Sequence, residues 1–143
     1  MSYNGDMGEI REKVRLTNAV DEELVRRGAL PADKMRMLEV SAVVDTGAVM
    51  SVIPVHVAEQ LGLQTRHHRV ARFADGRTET VGVTGPIIFE CQSRDTLEEA
   101  MILGDEVLIG QTVLEKLDLL ADCGNQRLVP HPDRPNQPVI MIR

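Results

Sequence analysis

Aromatic residues are almost missing from this sequence. Tyr3, Phe73 and Phe89 are the only ones, 2 % of 143 residues, and there is no tryptophan. The core must therefore be aliphatic. A binder of single-stranded nucleic acid, which needs flat side chains to stack bases on, is disfavoured. So few large anchors also favour burial of aliphatic surface against a partner, a first hint of dimerisation. Basic charge is short too: 16 Lys and Arg against 22 Asp and Glu leave a net charge of −6. Phosphate binding needs a basic surface, so nucleic acid is not expected as the main partner. No apolar run approaches the roughly 18–20 residues of a membrane span, and no membrane partner is expected. Met1–Gly8 lacks the basic and apolar regions of a secretory leader. Two cysteines, Cys91 and Cys123, are too few for a disulfide scaffold. They fit a reducing, cytoplasmic setting in which both are buried structural thiols.

What is present is a succession of short apolar runs separated by turn residues. Residues 1–8 read as a flexible end and residues 9–143 as one domain. Glu9–Leu16 carries Ile10, Val14 and Leu16 on one parity, as a half-buried strand does. Asp21–Arg27 starts acidic, ends basic and is followed by Gly28, which suits a short helix; a hairpin excursion is the other reading. Met35–Val44 is a second strand and Val49–Ile53 another apolar stretch. Pro54 then opens Val55–Leu61, and Gly62 closes it, the pattern of a short helix. Arg69–Phe73 and Thr78–Val83 flank Asp75-Gly76, a strong hairpin signal. Further strands are expected at Pro86–Cys91, Leu97–Leu103, Val107–Ile109, Leu119–Ala121, Arg127–Val129 and Val139–Ile142. Gln111–Leu117 has room for one or two helical turns. Pro130, Pro132, Pro135 and Pro138 make an extended, non-helical arm. About eight short strands with only short helices predict an all-β barrel or sandwich.

The chemistry concentrates in Val43-Val44-Asp45-Thr46-Gly47-Ala48. A carboxylate closes an apolar strand and is followed by a hydroxyl and a glycine. Burying a carboxylate is costly unless it is paired or hydrogen-bonded, and glycine permits close backbone approach. Taken alone, the triplet is equally an Asx turn in which Asp45 bonds its own backbone. Other candidates are weaker. His67 and His68 are adjacent and face opposite sides of a strand. His56 with Glu59 lacks a further ligand, so no metal site is expected. There is no Gly-x-Ser-x-Gly elbow and no phosphate loop.

In context, the sequence resembles the retropepsin-like aspartic peptidases, the single-domain members of the pepsin clan. The resemblance rests on the Asp45-Thr46-Gly47-Ala48 segment, on Ser51-Val52-Ile53-Pro54 and on Leu61-Gly62-Leu63. It continues with a hairpin at Asp75-Gly76 in the flap position. Val107-Leu108-Ile109-Gly110 and Val113-Leu114-Glu115-Lys116-Leu117 then look like the family's apolar-apolar-Gly motif and C-terminal helix. The resemblance implies an all-β, closed acid-protease-type barrel with short helices, one lobe per chain, paired as a symmetric homodimer. It implies an endopeptidase that cuts a peptide or protein substrate with no metal or organic cofactor. Two carboxylates sharing a proton activate water in this clan. The chain holds one Asp-Thr-Gly, so two copies of Asp45 would meet on the dimer axis. Asp122-Cys123-Gly124 is the nearest second copy. Too little chain follows it for another lobe, and it reads as a turn.

The same resemblance distributes the roles. Asp45 would be the catalytic group, Thr46 would bond across the dimer axis, and the Gly47 carbonyl would accept a substrate N–H. Ala48 would floor a side-chain pocket, and Ala74, Asp75, Gly76 and Arg77 would form the tip of a mobile flap. Val52 and Leu108 would line apolar pockets, ordinary core being the other reading for both. Val139–Ile142 would pair across the interface, or else form an edge strand or a tail. There are departures. Val49 stands where many retroviral members carry an acid and Gln111 where they carry a base, which leaves room for a different or apolar brace in place of their ionic one. The flap tip is also more charged than in those members. These departures leave a second class of function, a non-catalytic peptide-binding or assembly module. A third reading is an enzyme latent until its N-terminal segment is removed. In a dimer the charge would double to about −12 and steer basic peptides toward it.

Overall fold

The apolar strand that ends at Asp45 lies inside a nine-stranded sheet. A computed structural model describes residues 9–143; residues 1–8, read above as a flexible end, lie outside the described residues. The chain begins with β1 (Ile10–Asn18), α1 (Ala19–Arg26), a 3-10 turn (Ala32–Lys34) and β2 (Met37–Val44). Next come β3 (Ser51–Ile53), α2 (Val55–Gln60), β4 (Thr65–Arg72), β5 (Thr78–Thr84), β6 (Ile87–Cys91) and β7 (Arg94–Glu98). The last elements are β8 (Ala100–Ile102), β9 (Leu108–Ile109), α3 (Gln111–Leu117), β10 (Leu119–Asp122) and β11 (Arg127–Pro130). Pairing runs in the order β4-β5-β8-β3-β9-β2-β1-β6-β7, with β10 and β11 as a separate ribbon. The β2–β9 and β3–β8 pairs are parallel; the others are antiparallel.

The protein is mostly β with short helices, as expected, but the expected closed barrel does not form. Pairing stops at β4 and β7, and among the described residues these two edges do not bond each other. They are finished in different ways instead. Lys116 of α3 donates from Nζ to the Leu97 carbonyl of β7 at 2.9 Å and pairs with Glu98. In contrast, β4 is left to solvent, exposed at every position except Ala71. Among the described residues eleven strands form rather than about eight. Leu97–Leu103, expected as one strand, divides at Glu99 into β7 at a sheet edge and β8 in the sheet interior. Val139–Ile142 forms no strand, because no neighbour among the described residues offers it a ladder.

The ambiguous Asp21–Arg27 segment belongs to a helix. Asn18 Oδ1 accepts the Asp21 N–H at 3.0 Å and caps α1. Asp21 and Glu22 sit at its positive end and Arg26 at its negative end, each complementing the helix dipole. The helix leaves the end of β1 where Thr17 pairs with Met37, whereas Asp45 follows the opposite end, where Ile10 pairs with Val44. Eight strand residues, about 26 Å, separate the two. Within one chain, α1 therefore does not cover the Asp45 loop.

The core is aliphatic, as the composition requires. Leu16, Ile53, Leu61, Ile87 and Ile109 are fully buried around one aromatic ring, Phe89. Cys91 is buried among them, and its thiol is pushed up to about 12, first by burial and then by Glu12. Cys123 is exposed, contrary to the expectation that both thiols are buried, because it sits in the β10–β11 turn. After β11 the proline-rich arm is tied back at the end of α3. Asp118, in the left-handed region at φ 57°, accepts from Arg134 Nε at 2.6 Å and Nη2 at 2.9 Å and from the Val139 N–H at 3.1 Å. Buried Arg94 donates to the carbonyls of Leu117 and Asp118.

The Arg134 guanidinium holds the Asp118 carboxyl well below the usual carboxylate range, against the opposing effect of burial. A lowered folded value means that the stabilisation is complete above the unfolded value of about 3.9. It is lost as the pH falls through the folded value. Asp118→Asn removes the charge with a residue that tolerates the left-handed backbone. Its urea midpoint should lie below that of the wild type at pH 7, with the gap shrinking below about pH 4. A gap of constant size down to the acid limit would contradict the role given to Asp118.

Candidate active site

Asp45 follows β2 directly, and its N–H still donates to the Ile109 carbonyl of β9 at 2.9 Å. The parallel ladder thus fixes where the carboxylate begins. The residue is half-buried. Its Oδ1 accepts the Gly47 N–H at 3.0 Å, while Oδ2 has no hydrogen bond among the described residues. The Asx turn is therefore present, but it occupies only one of the two oxygens. Thr46 and Gly47 are exposed and Ala48 is half-buried.

The loop after the triplet is laced to the start of α3. A helix leaves its first N–H groups without intrahelical acceptors. Here the Gln111 N–H donates to the Ala48 carbonyl at 2.8 Å, and the Thr112 N–H to the Val49 carbonyl at 3.1 Å. Thr112 Oγ1 donates to the same Val49 carbonyl. Just before the helix, the buried Gly110 N–H donates to Ser51 Oγ at 2.9 Å. Glycine is required at 110: an added Cβ would lie 2.6 Å from the Met50 carbonyl group and 3.0 Å from Ala48 O. The brace that replaces the absent acid–base pair is thus a set of neutral hydrogen bonds.

Strand register links this loop to the hairpin. Val43 pairs with Leu108, Leu108 with Val52, Val52 with Met101, and Met101 with Val83. Residues paired across strands share a sheet face. Asp45, two positions beyond Val43, continues that parity. Leu108 and Val52 therefore lie in one row on the Asp45 face, Leu108 half-buried and Val52 buried. Met101 extends the row and was missed in the sequence; only the pairing of β8 between β3 and β5 reveals it.

The expected hairpin is formed by β4 and β5. Gly76 takes φ +91° at its turn, and the Gly76 N–H donates to the Phe73 carbonyl. Ala74, Asp75, Gly76 and Arg77 are all exposed. Their polar contacts close on the tip itself. Arg77 Nε donates to Asp75 Oδ2 at 2.7 Å, and the guanidinium carbon lies 4.9 Å from the Phe73 ring centroid. These bonds from Arg77, the backbone N–H foremost, lower the Asp75 carboxyl. The structure thus places Asp45, Thr46, Gly47, Ala48, Val52 and Leu108 together, with the hairpin tip making its own contacts apart from them.

Asp122, of the expected decoy triplet, is engaged with Asn125 and Arg127 in the β10–β11 turn, as a turn residue should be. A groove of about 650 Å³ opens between α1 and the β6–β7 pair, and Asp45 does not line it. Thr112 could have been suspected from the sequence only as a helix-starting hydroxyl; its acceptor, the Val49 carbonyl, lies 63 positions away.

A family model described as aspartyl protease matches residues 34–88. The match spans β2, the Asp45 loop and the β4–β5 hairpin, and it supports a retropepsin-like aspartic protease family for this chain. The matched segment supports protease, that is hydrolase, chemistry. No curated protein matches the chain.

Ser51→Ala removes the acceptor of the buried Gly110 N–H. An unsatisfied buried donor costs about 1–3 kcal/mol, so chemical denaturation should show a loss of that size. An unchanged midpoint would mean that this bond does not hold the loop.

Proposed function

We propose that this chain is an aspartic endopeptidase that works as a homodimer, with Asp45 of each subunit forming half of one dyad. The observation that carries the reading is the state of Asp45: one oxygen held by its own turn, the other free, at an open surface. One chain offers one such carboxylate in the matching context. Thr46 and Gly47 are exposed beside it, available to a second copy and to an extended substrate. Apolar surface for that second copy is at hand in Val49, 70 % exposed, and in the tail, where Ile142 is 86 % exposed.

Two carboxyls brought within a few ångströms share one proton, since both cannot readily ionise. The ionised Asp45 takes a proton from water as the water oxygen bonds to the scissile carbonyl carbon. The protonated Asp45 gives its proton to the carbonyl oxygen, leaving a neutral gem-diol. The C–N bond then breaks, one diol proton returning to a carboxylate while the other carboxyl protonates the leaving nitrogen. One water is consumed, an acid and an amine are released, and the dyad is restored. The Leu108–Val52–Met101 row would receive apolar substrate side chains. The hairpin tip would close over the substrate and exclude water.

Asp45→Asn should lower peptide cleavage by at least about a thousandfold while sedimentation shows the same dimer for both proteins. Undiminished cleavage by the variant would sink the assignment. A well-formed wild-type dimer that cleaves nothing in a peptide library across acid and neutral pH would instead favour the non-catalytic binding module. The self-paired Asp75–Arg77 tip is the feature that keeps that second reading in view.

A further inference from the structure

Arginine is mostly spoken for in this protein. Arg11 pairs with Glu9 and Glu106, Arg36 with Asp21, Arg77 with Asp75 and Arg134 with Asp118. Arg94 gives its protons to backbone carbonyls. Apart from Arg143 at the last position, the exceptions lie on β4. Arg66, Arg69 and Arg72 are exposed, and none has a salt bridge or side-chain hydrogen bond among the described residues. His67 and His68 stand between them. The nearest carboxylate by register is Glu79, opposite Ala71, and it pairs with none of the three. A chain of net charge −6 thus carries a stripe of uncompensated positive charge on one strand.

That strand is also an unpaired edge. β4 ends the sheet order and, among the described residues, bonds only β5. Edge strands present free N–H and C=O groups that template a further strand. Charge on an edge commonly discourages such pairing, but a stripe of one sign discourages only like-charged segments. A second copy of β4 would set arginine against arginine and is disfavoured. An extended acidic segment meets neither objection. Its backbone completes the ladder, and carboxylates at two positions of opposite parity, three apart, face Arg69 on one side of the sheet and Arg72 on the other. A bulge between Thr65 and His67 displaces Arg66 from that alternation. Nucleic acid would satisfy the guanidiniums and leave the ladder groups unused, and the strand has no Phe, Tyr or Trp for base stacking.

We infer that the free edge of β4 is a docking site for an extended, Asp/Glu-rich peptide segment, taken up as an added strand. The site works locally: at physiological salt the Debye length is about 8 Å, so the acidic remainder of the surface is largely screened from a bound peptide. It does not depend on peptide cleavage.

The test uses the full chain carrying Asp45→Asn, so that no probe is consumed. A fluorescent peptide of Glu-Glu-Val repeats, which carries carboxylates on both faces of a strand, is titrated and followed by anisotropy. Its Lys-for-Glu counterpart, a copy N-methylated at alternate residues and a single-stranded RNA oligonucleotide serve as comparisons. The acidic peptide should bind, weaken with added salt, and lose about tenfold in affinity against Arg66→Glu/Arg69→Glu/Arg72→Glu. N-methylation should weaken it comparably, which simple charge attraction would not. A parallel Arg→Gln triple variant, checked by thermal melting, guards against misfolding of the reversed one. Equal binding of the lysine peptide, indifference to both triple variants, indifference to N-methylation, or tighter binding of the RNA would each overturn the inference. Because only binding is read, its failure would leave the catalytic reading of Asp45 untouched.

Discussion

The first turn of α3 has N–H groups that its own helix cannot satisfy, and the chain satisfies them with the carbonyls of the loop that follows Asp45. This constraint organises the centre of the molecule. The Gln111 and Thr112 amides reach Ala48 and Val49, and the Gly110 amide reaches the Ser51 hydroxyl. For these bonds to form, β9 must run parallel beside β2 and turn at once into the helix. Position 110 must then lack a side chain, since the Met50 carbonyl fills the space a Cβ would need. Asp45 is fixed as a consequence: its backbone is the last rung of the β2–β9 ladder, and the loop beyond it is pinned from the other side.

A neutral brace of this kind has a different physical character from an ion pair. Its donors and acceptors are mostly main-chain groups, so its strength does not depend on pH or salt. It also leaves the surroundings of Asp45 free of a neighbouring charge that belongs to the brace. In the proposed dimer, the charges that matter near the dyad would then be the two carboxyls themselves. The shortage of aromatic residues fits the same picture. The aliphatic core is built around a single ring, Phe89, and apolar side chains remain at the surface at Val49 and along the C-terminal tail.

How far the sequence foretells the structure depends on the range of the interactions involved. Asp45-Thr46-Gly47 after an apolar strand is a local pattern, and so is Asp75-Gly76 between two extended runs; both fall where they should. Helix α1 was half legible, because its acidic start and basic end are local while its cap, Asn18, looks like part of the preceding strand. The β6–β7 turn was hidden: Gln92 and Ser93 take φ of 52° and 63° without glycine or asparagine to announce it. Closure of the sheet was misread, and of the readings of Val139–Ile142 the described chain shows the tail, for a shared reason. Alternation or apolar content marks a segment as able to pair, but only the distant chain decides whether a partner arrives. Met101 and Thr112 entered the site only through such distant pairings.

The central claim is that one chain carries half of a proton-sharing site. The most direct measurement is the separation of the two Asp45 carboxyls in a crystal structure of the assembled protein. The account predicts facing carboxyl groups about 3 Å apart, close enough to share a proton. Asp45 side chains that point outward on separate surfaces of the assembly would contradict it.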